Sequence, residues 1–301
     1  MQAGRRAALK GGFVKAESKI KTLGFINADK PSGLTSSAVV NKIKRLTGLP
    51  SGHMGTLDPL ASGVLPVGIG NATRLFEYFL DKKKEYVAEF TFGVTSDTLD
   101  STGELVVSGR IPTEAEICGV LPLFEGEISQ LPPKYSAKNV NGRRGYELAR
   151  AGVEFELAPK RVTIDEVTLL ERVKEDAFRF RIRCGGGTYI RSLARDIAEK
   201  LGTKAVMSGL RRTQSGYFKA AEAVSPDELT EENIESLIVP TENVLPFEKL
   251  VLKGAGWEKI FNGVPAATDY PDGRYKIYRG DTFYGIAEVK NGRARIKTKL
   301  C

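Results

Sequence analysis

A single carboxylate set among turn-forming residues is the first feature of this chain with chemical promise. Asp58 lies in GHMGTLDPLASGVLP, residues 52–66, together with His53, the only histidine of the 301 residues. An aspartate before proline ordinarily shapes a turn, and His53 taken alone reads as a hydrogen-bonded loop residue. The usual catalytic sets need more than this sequence supplies: acid–base carboxylate pairs, a Ser-His-Asp triad and metal clusters all call for further partners. Glycosidases use two carboxylates, so Asp58 alone does not fit their plan. GIGNAT, residues 68–73, lacks the last glycine of a dinucleotide loop and has no βαβ unit around it, so no cofactor is expected. With one histidine and no paired cysteines, no structural metal is expected either. What remains is a nucleophilic aspartate, held ionised by a nearby arginine, acting on an electrophile that aromatic side chains position.

The elements that must hold such groups can be read from hydrophobic period and turn chemistry. AFRFRIRCGGGTYIRSLARDIAEKLG, residues 177–202, opens as a strand in which Phe178, Phe180 and Ile182 alternate with Arg179, Arg181 and Arg183. Three glycines turn the chain, Thr188 is expected to cap a helix, and Ile190, Leu193, Ile197 and Leu201 mark its buried side. Tyr189 and Arg191 then fall in the first helical turn after a strand end, a rigid place for functional groups. An arginine near a helix start opposes the helix dipole, so Arg191 answers a local anion. Tyr86 shares one face of the strand KEYVAEFTFG with Ala88, Phe90 and Phe92, a pattern that by itself indicates core.

Further along, LGFINADKPSGLTSS reads as a strand broken by Pro31 and Gly33. SSAVVNKIKRLTG follows as a helix capped by Ser36 or Ser37 and ended by Gly48. ATRLFEYFLD reads as a short helix and TEAEICGVLPLFEG as a capped one. Residues 134–161 hold seven Lys/Arg against Glu147, Glu154 and Glu156, with Tyr135, Tyr146, Phe155 and a turn at Asn141-Gly142. Such a basic, aromatic-dotted insert suits gripping RNA, although a solvated helix-turn has the same composition. From about Leu245 the chain turns to GWEKIFNG, a short helix, and then to three short strands with a hairpin signal at Asn291-Gly292. A small barrel-like β domain is expected there, with Arg293, Arg295, Lys297 and Lys299 on one strand face.

The net charge of +8 is less telling than it looks, because residues 1–23 supply +5 of it. That stretch lacks a continuous apolar core and is no secretory signal; it is expected to be a disordered basic arm outside the fold. No run of 18 or more apolar residues exists, so no membrane span is expected. Cys118, Cys184 and Cys301 are odd in number and widely spaced, which argues against a disulfide framework and for a reducing, cytoplasmic setting.

Four blocks in order resemble the TruB-type tRNA pseudouridine synthases: GFINADKPSGLTS (24–36), GHMGTLDPLASGVLPVGIGNATR (52–74), YSAKNVNGRRGYELARAG (135–152) and CGGGTYIRSLARD (184–196). KKKEYVAEFTFG and SDTLDSTG match between them, so the resemblance runs from about residue 24 to 215, with a weaker PUA-like tail. It implies an α+β catalytic domain over 24–247, a largely antiparallel mixed sheet flanked by helices, with 134–161 as its RNA-gripping insert. It also implies a PUA-like RNA-binding β-barrel over 248–301.

Carried onto residues, the resemblance makes Asp58 the nucleophile that isomerises uridine, Tyr86 the ring stacked on uracil and a candidate for the C5 proton, and Arg191 the partner of the aspartate. Tyr189 and Leu210 would line the pocket, and His53 would fill the space left by the flipped nucleotide. Asp100, Lys30, Arg143 and Arg144 are expected among the substrate-binding residues. The implied substrate is the T-arm stem-loop of tRNA, at uridine 55, with no cofactor, no obligatory protein partner and a monomeric enzyme. Two alternatives stand beside it: a related synthase with other RNA targets or a guide-RNA complex, and a tRNA-binding module with dispensable catalysis. The absence of long charged tails beyond residue 301 favours the stand-alone form.

Overall fold

The structure, a computed structural model, describes residues 23–80, 82–136, 138–140, 142–252 and 254–300. Nearly all of the basic arm expected over 1–23, together with Asn141 of the expected turn and Cys301, lies outside the described residues. Strand β1 (Gly24–Lys30) leads through the DKPSGLT loop to helix α1 (Ser36–Thr47). The cap of α1 is Thr35, whose side chain accepts from the Ala38 N–H, rather than either following serine. Gly48, in the left-handed region, ends the helix as its sequence position predicts. Short strand β2 (Ser51–His53) and β3 (Ser62–Ile69) bracket the Asp58 loop. ATRLFEYFLD is broken into a 3₁₀ segment, Gly70–Leu75, and one helical turn, Glu77–Leu80.

The sheet is completed by β4 (Lys84–Phe92), β5 (Gly126–Gln130), β6 (Lys160–Arg172), β7 (Ala177–Cys184), β8 (Ala205–Ser215), β9 (Phe218–Lys219) and β10 (Val239–Pro240). Its order is β10-β1-β3-β8-β4-β7-β6-β5, with β2 beside β3 and β9 beside β8. Every pairing is antiparallel except β3 with β8. That parallel seam is tight: a Cβ at Gly63, which has φ +100°, would stand 2.2 Å from the Arg212 carbonyl oxygen. Only glycine fits so close an approach. Helix α2 (Glu114–Val120) carries the capping box formed by Thr113 and Glu116. Within the insert, a two-residue hairpin, Asn139–Val140 with Arg143–Arg144, precedes α3 (Gly145–Arg150). Helix α4 (Ile190–Lys200) follows β7.

Alternation on β4 and β7 builds the core as their sequences predict. Phe90 meets Phe180 at 4.8 Å and Phe92 meets Phe178 edge-on at 5.6 Å, beneath Leu193 and Ile197 of α4. The opposite face of β7 differs from a free basic surface. Arg179 pairs with Glu89 and Glu171, Arg181 with Glu166, and Arg183 with Glu85 and Glu166.

The C-terminal part holds α5 (Gly256–Phe261) and an antiparallel sheet of β11 (Ala266–Ala267), β14 (Arg293–Lys299), β13 (Thr282–Lys290) and β12 (Gly273–Arg279), in that order. Asn291 and Gly292, both with positive φ, make the expected hairpin turn. This sheet docks firmly on the rest of the chain. Ile286 and Leu300 share a core with Phe25, Met54, Leu75 and Tyr78. The Tyr78 hydroxyl lies 2.7 Å from that of Thr298, and Asn71 donates to the Leu300 carbonyl at 2.7 Å. Among the described residues, no helix is long and apolar enough to cross a membrane.

Candidate active site

Asp58 is held by two loops that lock into each other. On its own side Leu57 plugs the main core, and the Ala61 N–H donates to the Asp58 carbonyl to close the turn. From the other side comes the DKPSGLTS block. The Gly33 N–H donates to the Pro59 carbonyl, and Ser32 Oγ donates to the Leu60 carbonyl. Ser36 Oγ donates to the Leu57 carbonyl and accepts from its N–H. Lys30, fully buried, donates to the carbonyls of Pro31, Leu34 and Pro59 at 2.9, 2.6 and 3.2 Å. The first matching block is therefore the scaffold of the aspartate loop, and Lys30 sits beneath it rather than on the cleft wall. Burial lowers the Lys30 ammonium to about 8, with the Asp58 charge opposing that fall.

Arg191 reaches Asp58 from the start of α4, Nε to Oδ2 at 2.9 Å. The arginine is 5% exposed, and its other nitrogens are also engaged. Nη1 donates to the Thr98 carbonyl at 2.9 Å and lies 3.6 Å from Asp100 Oδ2, while Nη2 donates to the Tyr135 carbonyl at 2.9 Å. A guanidinium with all sides occupied cannot swing away, so it fixes the plane and direction of the carboxylate. Asp58 stays about a third exposed, 36% for its side chain, and opens into a cleft of about 220 Å³.

Of the residues expected here, Asp58, Tyr86, Tyr189, Arg191 and Leu210 all line that cleft. Burial raises the Tyr86 phenol above its usual range, and Arg212 beside it opposes the shift. Burial also raises the Tyr189 phenol, against Ser136 and Arg191. Both rings therefore present neutral hydroxyls near neutral pH. Asp100 stands behind Arg191 instead of on the wall. Its Oδ1 accepts from the Thr98 hydroxyl and from the Thr102 N–H and hydroxyl. His53 lies on β2 opposite Val67, outside the cleft lining. Burial and Arg212 lower its pKa, and its Nδ1 has no hydrogen-bond partner among the described residues. Arg143 and Arg144 are exposed on the insert hairpin and are not brought to the cleft.

Sequence reasoning missed several residues that the fold places here. Arg212, 1% exposed, donates to the carbonyls of Val64 and Gly55 and so ties β3 to the start of the aspartate loop. The signal was the pair Arg211-Arg212 on a strand, where alternation must turn one inward. Lys84 and Ser136 also line the cleft. Thr188 does not cap α4. Its hydroxyl turns back to the Gly185 carbonyl, and Tyr189 occupies the cap position without a side-chain bond of its own.

A sheet that joins an aspartate loop to an arginine-bearing helix defines a class of fold, and it recurs in solved structures. One chain of a Cbf5-Nop10-Gar1 complex matches with a TM-score of 0.70 and 29% identity, over 92% of this chain and 85% of that one. A chain in the structure of an H/ACA RNP bound to a substrate RNA containing 2′-deoxyuridine matches at 0.68 and 27%, over 92% and 85%.

The family is fixed by sequence. Residues 44–190 match the model of the TruB family pseudouridylate synthase N-terminal domain, and 191–251 match that of the tRNA pseudouridylate synthase B C-terminal domain. The tRNA pseudouridine synthase B of Clostridium kluyveri is 37% identical over 89% of this chain and 96% of its own length. That of Caldanaerobacter subterraneus is 41% identical over 91% and 98%. This chain belongs to the TruB family of pseudouridine synthases.

Proposed function

We propose that this chain isomerises uridine 55 in the T-arm loop of tRNA to pseudouridine, with Asp58 as nucleophile. The observation that carries the reading is the buried Arg191 fixed on Asp58 at the wall of a cleft that Tyr86 also lines. A stacked loop base cannot reach that cleft, so the nucleotide must flip out at a cost of a few kcal/mol. Asp58 attacks either C6 of the base or C1′ of the ribose, and the N1–C1′ bond breaks. The base turns and C5 bonds to C1′. C5 then loses its proton, N1 gains one, and the aspartate is released. The product is an isomer, so no oxidant, reductant or co-substrate is consumed.

Tyr86 suits the turning step, because a ring face tolerates rotation about the stacking axis. Arg212 beside its phenol lowers the cost of the phenolate, the form that would accept the C5 proton. The exposed Arg143 and Arg144 of the insert would hold RNA phosphates. The enzyme acts as a monomer in the cytoplasm without a protein partner. The test is incubation of the purified chain with unmodified tRNA transcript, followed by chemical modification and primer extension. A single stop at uridine 55 is expected. Modification elsewhere, or only with added protein or guide RNA, would overturn the reading.

The C-terminal domain supplies a second RNA contact. Its basic strand face is exposed, but Arg295 is paired with Glu288 and Lys299 lies over the Tyr284 ring. A separate groove of about 670 Å³ holds the Trp257 and Phe261 rings, nearly parallel at 5.7 Å, with Lys249 4.5 Å above Tyr278 and Arg279 over Phe261. Aromatic faces flanked by cations suit unpaired bases. Deleting 248–301 would not isolate this contact, because the deletion strips Ile286 and Leu300 from the core that contains Met54. Trp257→Ala does isolate it. Its tRNA Kd is expected to rise roughly 5- to 100-fold with an unchanged single-turnover rate at saturation, and unchanged affinity would refute the contact.

A further inference from the structure

Gln130 ends β5, the outermost strand of the sheet on that side, and its carboxamide is buried, 1% exposed. Both ends of that carboxamide are committed to one residue. Its Oε1 accepts from the Tyr189 N–H at 2.8 Å, and its Nε2 donates to the Tyr189 carbonyl at 3.2 Å. Tyr189 is the cap residue of α4 and lacks a capping side chain, so a side chain 59 residues away holds the helix start instead. The next residue continues the grip. The Leu131 carbonyl accepts from Ser192 Oγ at 2.8 Å and from Arg195 Nη2 at 3.0 Å. Pro132 and Pro133, both buried, then restrict the backbone up to Tyr135, whose carbonyl accepts from Arg191 Nη2. The root of the insert is thus bonded to α4 at Tyr189, Arg191, Ser192 and Arg195.

We propose that Gln130 is a positioning residue for catalysis: its carboxamide sets the start of α4, and with it the Arg191 guanidinium that aims Asp58. The inference rests on the isomerase reading given above. It follows from geometry. Arg191 is two residues past the cap, in the first helical turn, so a shift of the Tyr189 backbone is carried to the guanidinium. A misplacement of about 1 Å at a reacting group costs on the order of 100-fold in rate. Gln130 itself is not among the cleft-lining residues, so its side chain makes no direct contact with a base held there. Because the same segment roots the insert, RNA held at Arg143 and Arg144 and the aim of Asp58 are linked through one short rigid stretch.

The test uses the full chain and unmodified tRNA transcript. Gln130→Met keeps the side-chain length and removes donor and acceptor together. Gln130→Glu keeps the acceptor for the Tyr189 N–H but sets a carboxylate against its carbonyl. Single-turnover pseudouridine formation is expected to fall on the order of 10- to 100-fold in Gln130→Met, less in Gln130→Glu, with tRNA Kd within about twofold of the parent. In an Arg191→Ala background, Gln130→Met is expected to cost little further, because both changes disable one device. An unchanged rate, a loss confined to Kd, or full additivity with Arg191→Ala would overturn the proposal. Should Gln130→Met fail to fold, Gln130→Glu and Ser192→Ala carry the same comparison, and full activity in both would overturn it. Absence of pseudouridine with the unaltered chain would instead sink the isomerase reading.

Discussion

Arg191 and the three arginines of β7 are all ion-paired, yet the pairs differ in kind. Arg179, Arg181 and Arg183 are 37–53% exposed, and their glutamate partners alternate across neighbouring strands. Water competes for these charges, so each pair contributes little and the network keeps the sheet face neutral. Arg191 is enclosed, and its guanidinium touches two carboxylates and two carbonyls. There the loss of one partner strands a buried charge. Lys30 is a third case, a cation buried against carbonyls with Asp58 nearby in charge but not in contact. Burial, more than residue type, decides which cations organise the site.

The contrast can be broken at three points, from the largest expected effect to the smallest. Arg191→Lys cannot reproduce the fork that spans Asp58, Thr98 and Tyr135. Its single-turnover rate is expected to fall on the order of 10²–10³-fold while tRNA affinity holds, and a rate within threefold of the parent would contradict the role given to burial. Arg181→Met on the sheet face should shift unfolding free energy by less than about 1 kcal/mol and leave turnover unchanged, as denaturant titration and rate measurement would show. For Lys30 the sign follows from its depressed pKa. Between about pH 8 and the ordinary lysine value of 10.5, the folded chain holds fewer protons than the unfolded one. Stability drawn from this residue therefore rises with pH across that window. The difference in unfolding free energy between the parent and Lys30→Met should grow in favour of the parent from pH 8 to 10, and a flat difference would refute the depressed lysine.

What the sequence revealed follows the same division. The face of β4 bearing Tyr86, the capping box of α2 and the hairpin at Asn291-Gly292 are set by neighbours in the chain, and period or turn chemistry exposes them. Asp58 and Arg191 were legible through the matching blocks, and an arginine at a helix start already called for an anion. Distant pairings were not legible. The parallel seam joins Ser62 and Gly63 to Arg211 and Arg212, about 150 positions on, and nothing local announces it. Gln130 looks like any strand-end glutamine until α4 arrives beside it. Lys30 and Asp100 were expected at the substrate through the matching blocks. The fold sets both behind the Asp58–Arg191 pair, Lys30 beneath the aspartate loop and Asp100 beside the guanidinium. Thr188 and Ser36 show the same limit on a smaller scale: each had a competing partner for its hydroxyl, the Gly185 carbonyl and the backbone of Leu57.

In the proposed reaction Asp58 is a nucleophile rather than a turn-former. The most direct measurement compares Asp58→Asn with the parent for tRNA binding and for pseudouridine at uridine 55 under single-turnover conditions. Asparagine keeps the size of the side chain and still accepts a hydrogen bond from Arg191, so the loop should fold and bind tRNA. Near-parental affinity with no detectable pseudouridine is expected. Turnover at the parental rate would contradict it.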